Sequence, residues 1–220
     1  MLKYRMEIID KYIKNKTVLD LGFLGENSNR RFSYLHEFIL KNAKEVYGID
    51  INKERIEELK NEGYNVIYDD VQKLENLAKL NKKFDVIVAG ELIEHLENPG
   101  LFLDNIKQFL NKEGILIITT PNMFSLRYIL RHTILGQESP YWENRSAEVK
   151  YGHVIGFSKM LLENLLLRKK WIIMESNYTI KDEYSGIKGI MEKIISLVFQ
   201  RLSPSLIIVC KRKYESIIST

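Results

Sequence analysis

Short apolar runs rich in β-branched residues alternate with stretches of helical periodicity, and this alternation limits the possible folds more than any other feature of the chain. Val18-Leu-Asp-Leu21, Val46-Tyr-Gly-Ile-Asp50, Val66-Ile-Tyr68, Phe84-Asp-Val-Ile-Val-Ala89 and Ile115-Leu-Ile-Ile118 read as strands. Helical patterns fall between them, with Leu35, Phe38 and Ile39 on one face and then Ile56 and Leu59. A weak helix through Leu74 and Leu77 and a stronger one through Phe102, Ile106 and Phe109 follow. Asn52, Asn98 (ahead of Pro99) and Ser158 stand where helix N-caps belong. A strand that feeds a helix before the next strand returns parallel to its neighbour. Five such units predict an α/β fold, doubly wound around a mostly parallel sheet.

The remainder is less regular. Residues 122–135 read as a helix and 136–152 as a polar loop bearing aromatics. Trp171-Ile-Ile-Met174 and Leu206-Ile-Ile-Val209 read as a final strand pair. Between them, 187–202 has the pattern of an amphipathic helix, with Ile190, Ile194, Leu197 and Val198 expected to face the core. A length of 220 residues fits a single domain, 1–220.

Composition narrows the class. The balance of 33 Lys and Arg against 29 Asp and Glu leaves +4, too little for a nucleic-acid footprint. The one cysteine, Cys210, excludes an internal disulfide and suits a reducing, cytoplasmic setting. Glu7 and Asp10 interrupt the N-terminus where a signal peptide needs an apolar core. No stretch approaches the ~18 uninterrupted apolar residues of a transmembrane span.

The strand ends carry acids. Asp20 closes the first strand before Gly22, Asp50 closes the second, Asp70 follows the third and Glu91 the fourth. Ligands of open α/β sheets sit beyond these ends. A carboxylate closing the second strand suits both hydroxyls of an adenosine ribose, and Gly22 allows close backbone approach. A dinucleotide-binding dehydrogenase needs Gly-x-Gly-x-x-Gly after strand one, which this chain lacks.

Val18-Leu-Asp20-Leu-Gly22, Gly-Ile-Asp50-Ile51, Tyr68-Asp-Asp70-Val71, Val-Ala89-Gly90-Glu91-Leu-Ile-Glu94-His95 and Gly114-Ile-Leu-Ile-Ile-Thr-Thr-Pro121-Asn122 occur in register. Together they resemble a class I S-adenosylmethionine-dependent methyltransferase over roughly residues 15–125. The resemblance implies a Rossmann-like, mostly parallel seven-stranded sheet whose last strand is antiparallel. It divides the domain into a cofactor-binding core (1–121), a lid and acceptor region (122–170) and a C-terminal strand pair with an inserted helix (171–220). S-adenosyl-L-methionine is the implied cofactor. Asp20 and Gly22 would line its methionine end, Asp50 and Ile51 the ribose, Asp70 and Val71 the adenine, and Ala89 and Gly90 the sulfonium region. The glycine loop departs from the family, with Leu24 and Glu26 where glycines are usual.

For chemistry, His95 is the expected base, with Glu94, Glu91 and His153 beside it at the acceptor. Glu91, Glu94, His95 and His153 are similar to the divalent-metal motif of small-RNA 2′-O-methyltransferases and ubiquinone-pathway O-methyltransferases, although no metal ligand is assigned here. His36 and His132 read as surface or packing residues. Tyr141, Trp142 and Tyr151 with Arg127, Arg131, Arg145 and Lys150 would shape the acceptor lid. The expected activity is O-methylation of a small-molecule, lipid-linked or glycan hydroxyl. The alternatives are a terminal 2′-O RNA methyltransferase and a non-catalytic cofactor-binding protein.

Overall fold

In the computed structural model, residues 3–25, 31–136, 152–180, 194 and 196–213 are described. The strands are β1 (Lys3–Tyr4), β2 (Thr17–Leu21), β3 (Glu45–Asp50), β4 (Val66–Tyr68), β5 (Phe84–Gly90), β6 (Leu110–Pro121), β7 (Trp171–Ile180) and β8 (Ser205–Arg212). The helices are α1 (Arg5–Ile13), α2 (Tyr34–Asn42), α3 (Lys53–Asn61), α4 (Glu75–Lys79), α5 (Pro99–Asn105), α6 (Leu126–Leu135) and α7 (Lys159–Arg168).

The sheet runs β1-β7-β8-β6-β5-β2-β3-β4. Strand β8 pairs antiparallel with β6 and β7, whereas the other pairings are parallel. The expected seven strands with an antiparallel last member are therefore all present. To them the structure adds β1, a two-residue edge strand laid parallel to the end of β7. Two residues carry too little periodicity to be seen in sequence.

Alternation along the strands divides the core between two faces. Val86 and Val88 pack with Ile8, Ile9 and Ile13 of α1 and Ile39 of α2. Ile87 and Ala89 point the other way, into a cluster holding Phe102 and Leu103 of α5 and Leu162 and Leu166 of α7. This is the period-two pattern of a strand covered on both sides. A third, smaller cluster joins Ile56 and Leu59 of α3 to Phe23 and Phe32. Cys210 is buried in β8 as a free thiol.

The expected caps form. Asn52 accepts from Arg55 N–H, Asn98 from Leu101 N–H and Ser158 from Leu161 N–H, at 3.1, 2.9 and 3.2 Å. With Pro99 pre-set at the first turn of α5, Asn98 holds the start of the helix that carries Phe102. Replacing Asn98 with Ala should cost about 1 kcal/mol. Thermal denaturation should register this as a fall of about 2–4 °C.

The stretch 187–202 differs from expectation. Residues 196–198 are helical, but Ile194, Leu197 and Val198 are exposed and Ser196 is the buried member. An amphipathic pattern identifies an apolar side without saying what covers it, and here that side faces outward among the described residues. Ile190 lies outside the described residues, as do the lid candidates Tyr141, Trp142, Arg145, Lys150 and Tyr151. Among the described residues, no helix is long and apolar enough to cross a membrane.

Candidate active site

The chain turns from β2 toward β3 and β4 on one side, whereas β5 and β6 lie on the other. At this switch point, beyond the carboxyl ends of the strands, is a cavity of about 460 Å³. That volume lies within the range of small-molecule and cofactor pockets. Asp20, Gly22, Gly90, Glu91, Glu94, His95 and His153 all contribute to its wall.

Asp20 lies in the buried part of β2, next to its last residue Leu21, and is only 1% exposed. Burial pushes its carboxyl above the usual range, against the opposing pull of His36 and Arg5. Gly22 follows with φ +69°, in the left-handed region that favours glycine, and its N–H donates to Ile49 O at 2.8 Å. At Gly90 an added Cβ would come within 2.4 Å of Leu35 Cδ2, so a side chain there would displace part of the cavity wall.

Asp50 is half-buried and anchored by two backbone donors, Leu24 N–H at 3.3 Å and Asn52 N–H at 3.0 Å. Burial raises its pKa, and the charge of Asp20 adds to the rise. Asp50 stands behind Leu24, which itself lines the cavity. Ile51 is exposed at the adjoining rim. Asp70 is half-buried and accepts Gln72 N–H at 2.9 Å. Its neighbour Asp69 does the structural work, accepting Asn76 and Leu77 N–H at 2.9 and 2.8 Å to hold the start of α4. Val71 and Ala89 are buried in the core cluster below the site. Of the eight expected cofactor residues, the cavity wall thus includes Asp20, Gly22 and Gly90, with Asp50 one residue behind it.

Glu91 adopts φ +51°, an uncommon conformation for a residue with a side chain. Its N–H donates to Thr119 O at 2.9 Å. Its carboxylate accepts from Ser205 Oγ at 3.3 Å and faces Arg5 at 3.8 Å. A short 3₁₀ turn, Ile93–His95, follows in place of a longer helix. Glu94 is fully buried and accepts a hydrogen bond from Thr120 Oγ at 2.9 Å. Its backbone carbonyl accepts from Val154 and Ile155 N–H at 2.8 and 3.1 Å, which brings the 152–155 segment across the site. His95 Nδ1 lies 3.3 Å from Gly152 O, and the His95 and His153 rings meet edge to face with centroids 4.7 Å apart. Glu94, His95 and His153 each offer a ligand atom within 4.8 Å of the others. Glu91 shares the cavity but stands outside this group, because its left-handed φ turns the chain before the 3₁₀ turn.

Two contributors were missed in the sequence. Arg5 is buried, lines the cavity and shares a helical face with Ile8 and Ile9. A charge on an apolar stripe was the available signal. His36, read as a surface or packing residue, is buried with its Nδ1 2.8 Å from Asp20 Oδ2. Only the curl of the chain around Gly22 brings it there, so sequence spacing held no cue. His132 is exposed, as expected.

Residues 3–168 match a family model described as a methyltransferase domain. The chain belongs to this methyltransferase family. The ubiquinone biosynthesis O-methyltransferase of Pelagibacter ubique is 30% identical over 177 residues, 76% of this chain and 68% of that protein. Its counterpart in Coxiella burnetii is 31% identical over 140 residues, 61% of this chain and 56% of that one. The chain thus spans between about half and two thirds of these relatives. A SAM-dependent methyltransferase from Archaeoglobus fulgidus superposes with a TM-score of 0.62 at 18% identity, covering 94% of this chain and 91% of that one. The [4+2]-cyclase SpnF does so with 0.59 at 13%, covering 96% and 81%. At such identities the superpositions show the fold alone, and a cyclase among them shows that the fold does not fix the reaction.

The methyltransferase family uses S-adenosylmethionine, and the residues present fit it. The cavity has the size, Gly90 allows Leu35 to pack closely into its wall, and carboxylates at the strand ends suit a ligand bearing an ammonium and a sulfonium.

Proposed function

We propose that this methyltransferase transfers a methyl group from S-adenosylmethionine to a hydroxyl oxygen of a small-molecule or lipid-linked acceptor. The observation that carries this reading is the Glu94–His95–His153 group in the wall of the same cavity as Asp20, Gly22 and Gly90. The O-methyltransferase names of the relatives support it. The sulfonium supplies an already activated methyl group, so the chain's work is positioning and proton removal. Asp20 and Asp50 offer negative charge to the methionine and ribose portions. Arg5, between Asp20 and Glu91, offers a guanidinium to a carboxylate. His95 takes the acceptor proton. With Nδ1–H donated to Gly152 O, its Nε2 is the basic atom.

A second reading is favoured by the same cluster: one carboxylate and two imidazoles are a donor set suited to a divalent ion. Such an ion supplies Lewis acidity that lowers the pKa of an acceptor hydroxyl. Thr120, bonded to Glu94, and Gly152, bonded to His95, would then orient the ligands from behind.

A methyl-transfer assay with catechol-type and simple hydroxyl acceptors tests the first reading, and the reading fails if only nitrogen acceptors are methylated. Dialysis against a chelator separates the two. Metal assistance predicts a loss of about tenfold or more, restored by adding back a divalent cation. Unchanged turnover leaves His95 acting alone.

A further inference from the structure

The Asp20–His36 pair is a deeply buried polar contact behind the cavity wall. Each residue is 1% exposed and the ring nitrogen and carboxylate oxygen are 2.8 Å apart. His36 reaches this place through three local features. Ser33 caps α2 by accepting His36 N–H at 3.2 Å, which sets the residue in the first turn. The ring then packs against Phe23 and Phe32, with centroids at 4.5 and 5.0 Å. Those two aromatics belong to the third core cluster, so the ring cannot swing away without opening it. The Nδ1–H therefore points at Asp20 Oδ2 and fixes the plane of the carboxylate, while Leu21 N–H supplies a further hydrogen bond.

Burying a carboxylate is costly unless donors compensate it. Nothing in the packing of β2 requires an acid here, since its strand neighbours Leu19 and Leu21 are apolar and fully buried. What distinguishes Asp20 is that it also lines the cavity. We propose that His36 is a positioning residue of the cofactor site, holding the Asp20 carboxylate in the orientation that meets the ammonium group at the methionine end of S-adenosylmethionine. This rests on Asp20 serving that end of the cofactor and is independent of the acceptor.

The titratable and charged groups facing Asp20 are His36 from α2, Arg5 from α1 and Asp50 at the end of β3, with Glu91 beyond Arg5. Burial raises the Asp20 pKa, and the His36 hydrogen bond is the largest opposing influence. Loss of that bond therefore raises the pKa further. The charged form that attracts an ammonium is then lost at a higher pH as pH falls.

The test is calorimetric titration of S-adenosylhomocysteine, which retains the ammonium, into the wild type and the His36→Leu, His36→Asn, Asp20→Asn and doubly substituted His36→Leu/Asp20→Asn proteins, at neutral pH and below. His36→Leu removes the donor at similar volume and should weaken binding about tenfold, as loss of a ligand-orienting partner does. Its affinity should also begin to fall at a higher pH than in the wild type. His36→Asn keeps an N–H near the Nδ1 position and should recover most of the affinity, and it carries the test if His36→Leu does not fold. In the Asp20→Asn background, His36→Leu should add little, because the effect passes through the carboxylate. Wild-type affinity in His36→Leu, fully additive losses in the double variant, or a loss in both His36 variants with no change in pH profile would overturn the proposal.

Discussion

Replacing His95 with Ala should lower kcat by about 10²–10⁴-fold, the usual contribution of a positioned general base. The Michaelis constant for S-adenosylmethionine should stay nearly constant. The split follows from placement. His95 groups with Glu94 and His153, whereas Asp20, proposed to meet the cofactor's ammonium, lines the same cavity outside that group with His36 as its hydrogen-bond partner. His95 is half-exposed and its described contacts are to Gly152 and His153, so folding should be preserved. Steady-state kinetics with each substrate varied in turn, on protein checked by thermal denaturation, reads the two constants separately. A rise in the cofactor's Michaelis constant with unchanged kcat would move His95 from the acceptor side to the cofactor side.

The second large effect concerns stability. Phe102 is completely buried where α5 packs onto the sheet face that also holds Ile87, Leu116 and Trp171. Phe102→Ala removes most of a ring from a close-packed cluster and should cost about 3–5 kcal/mol. For a domain of this size, that is a fall of roughly 6–20 °C in Tm. Urea denaturation checks it, with a lower midpoint expected and little change in slope. A loss below about 1 kcal/mol would mean that α5 repacks without strain.

These two residues were not equally legible. Phe102 follows from Asn98-Pro99 and the spacing of Ile106 behind it, so its helix and inward face were apparent from the chain. His95 was apparent as a candidate because it follows the fourth parallel strand, and Glu94 and His153 were named beside it, but so was Glu91, which the structure sends elsewhere. Glu91 reads in the sequence as one member of a motif with Glu94, His95 and His153. In the structure, a left-handed φ at Glu91 sends its carboxylate to Ser205 and Arg5, and the other three, Glu94, His95 and His153, come together without it. Backbone φ at a side-chain-bearing residue is set by surrounding contacts, here the bond to Thr119 O, and leaves no pattern in the sequence.

The same difference separates the acids. Asp20, Asp50 and Asp70 were recognisable as a row because strand ends are local features. Their hydrogen-bond partners were not. Asp69 rather than Asp70 holds α4, and Asp20 has a buried imidazole partner 16 residues away. Exposure also escaped the sequence: Leu197 and Val198 have the pattern of a core stripe and lie at the surface.

By itself, then, the sequence determined the parallel α/β architecture, the order of its units, the helix caps and the row of acids at the strand ends. All of these depend on periodicity and short-range hydrogen bonding, which neighbouring residues specify. Only the tertiary structure decided that Asp20 meets His36 near the charge of Arg5 and that Glu94, His95 and His153 gather in the wall of the same cavity as Asp20. Those meetings join residues far apart in the chain, and they depend on how β2, β5 and the 152–155 segment pack, which no local pattern encodes.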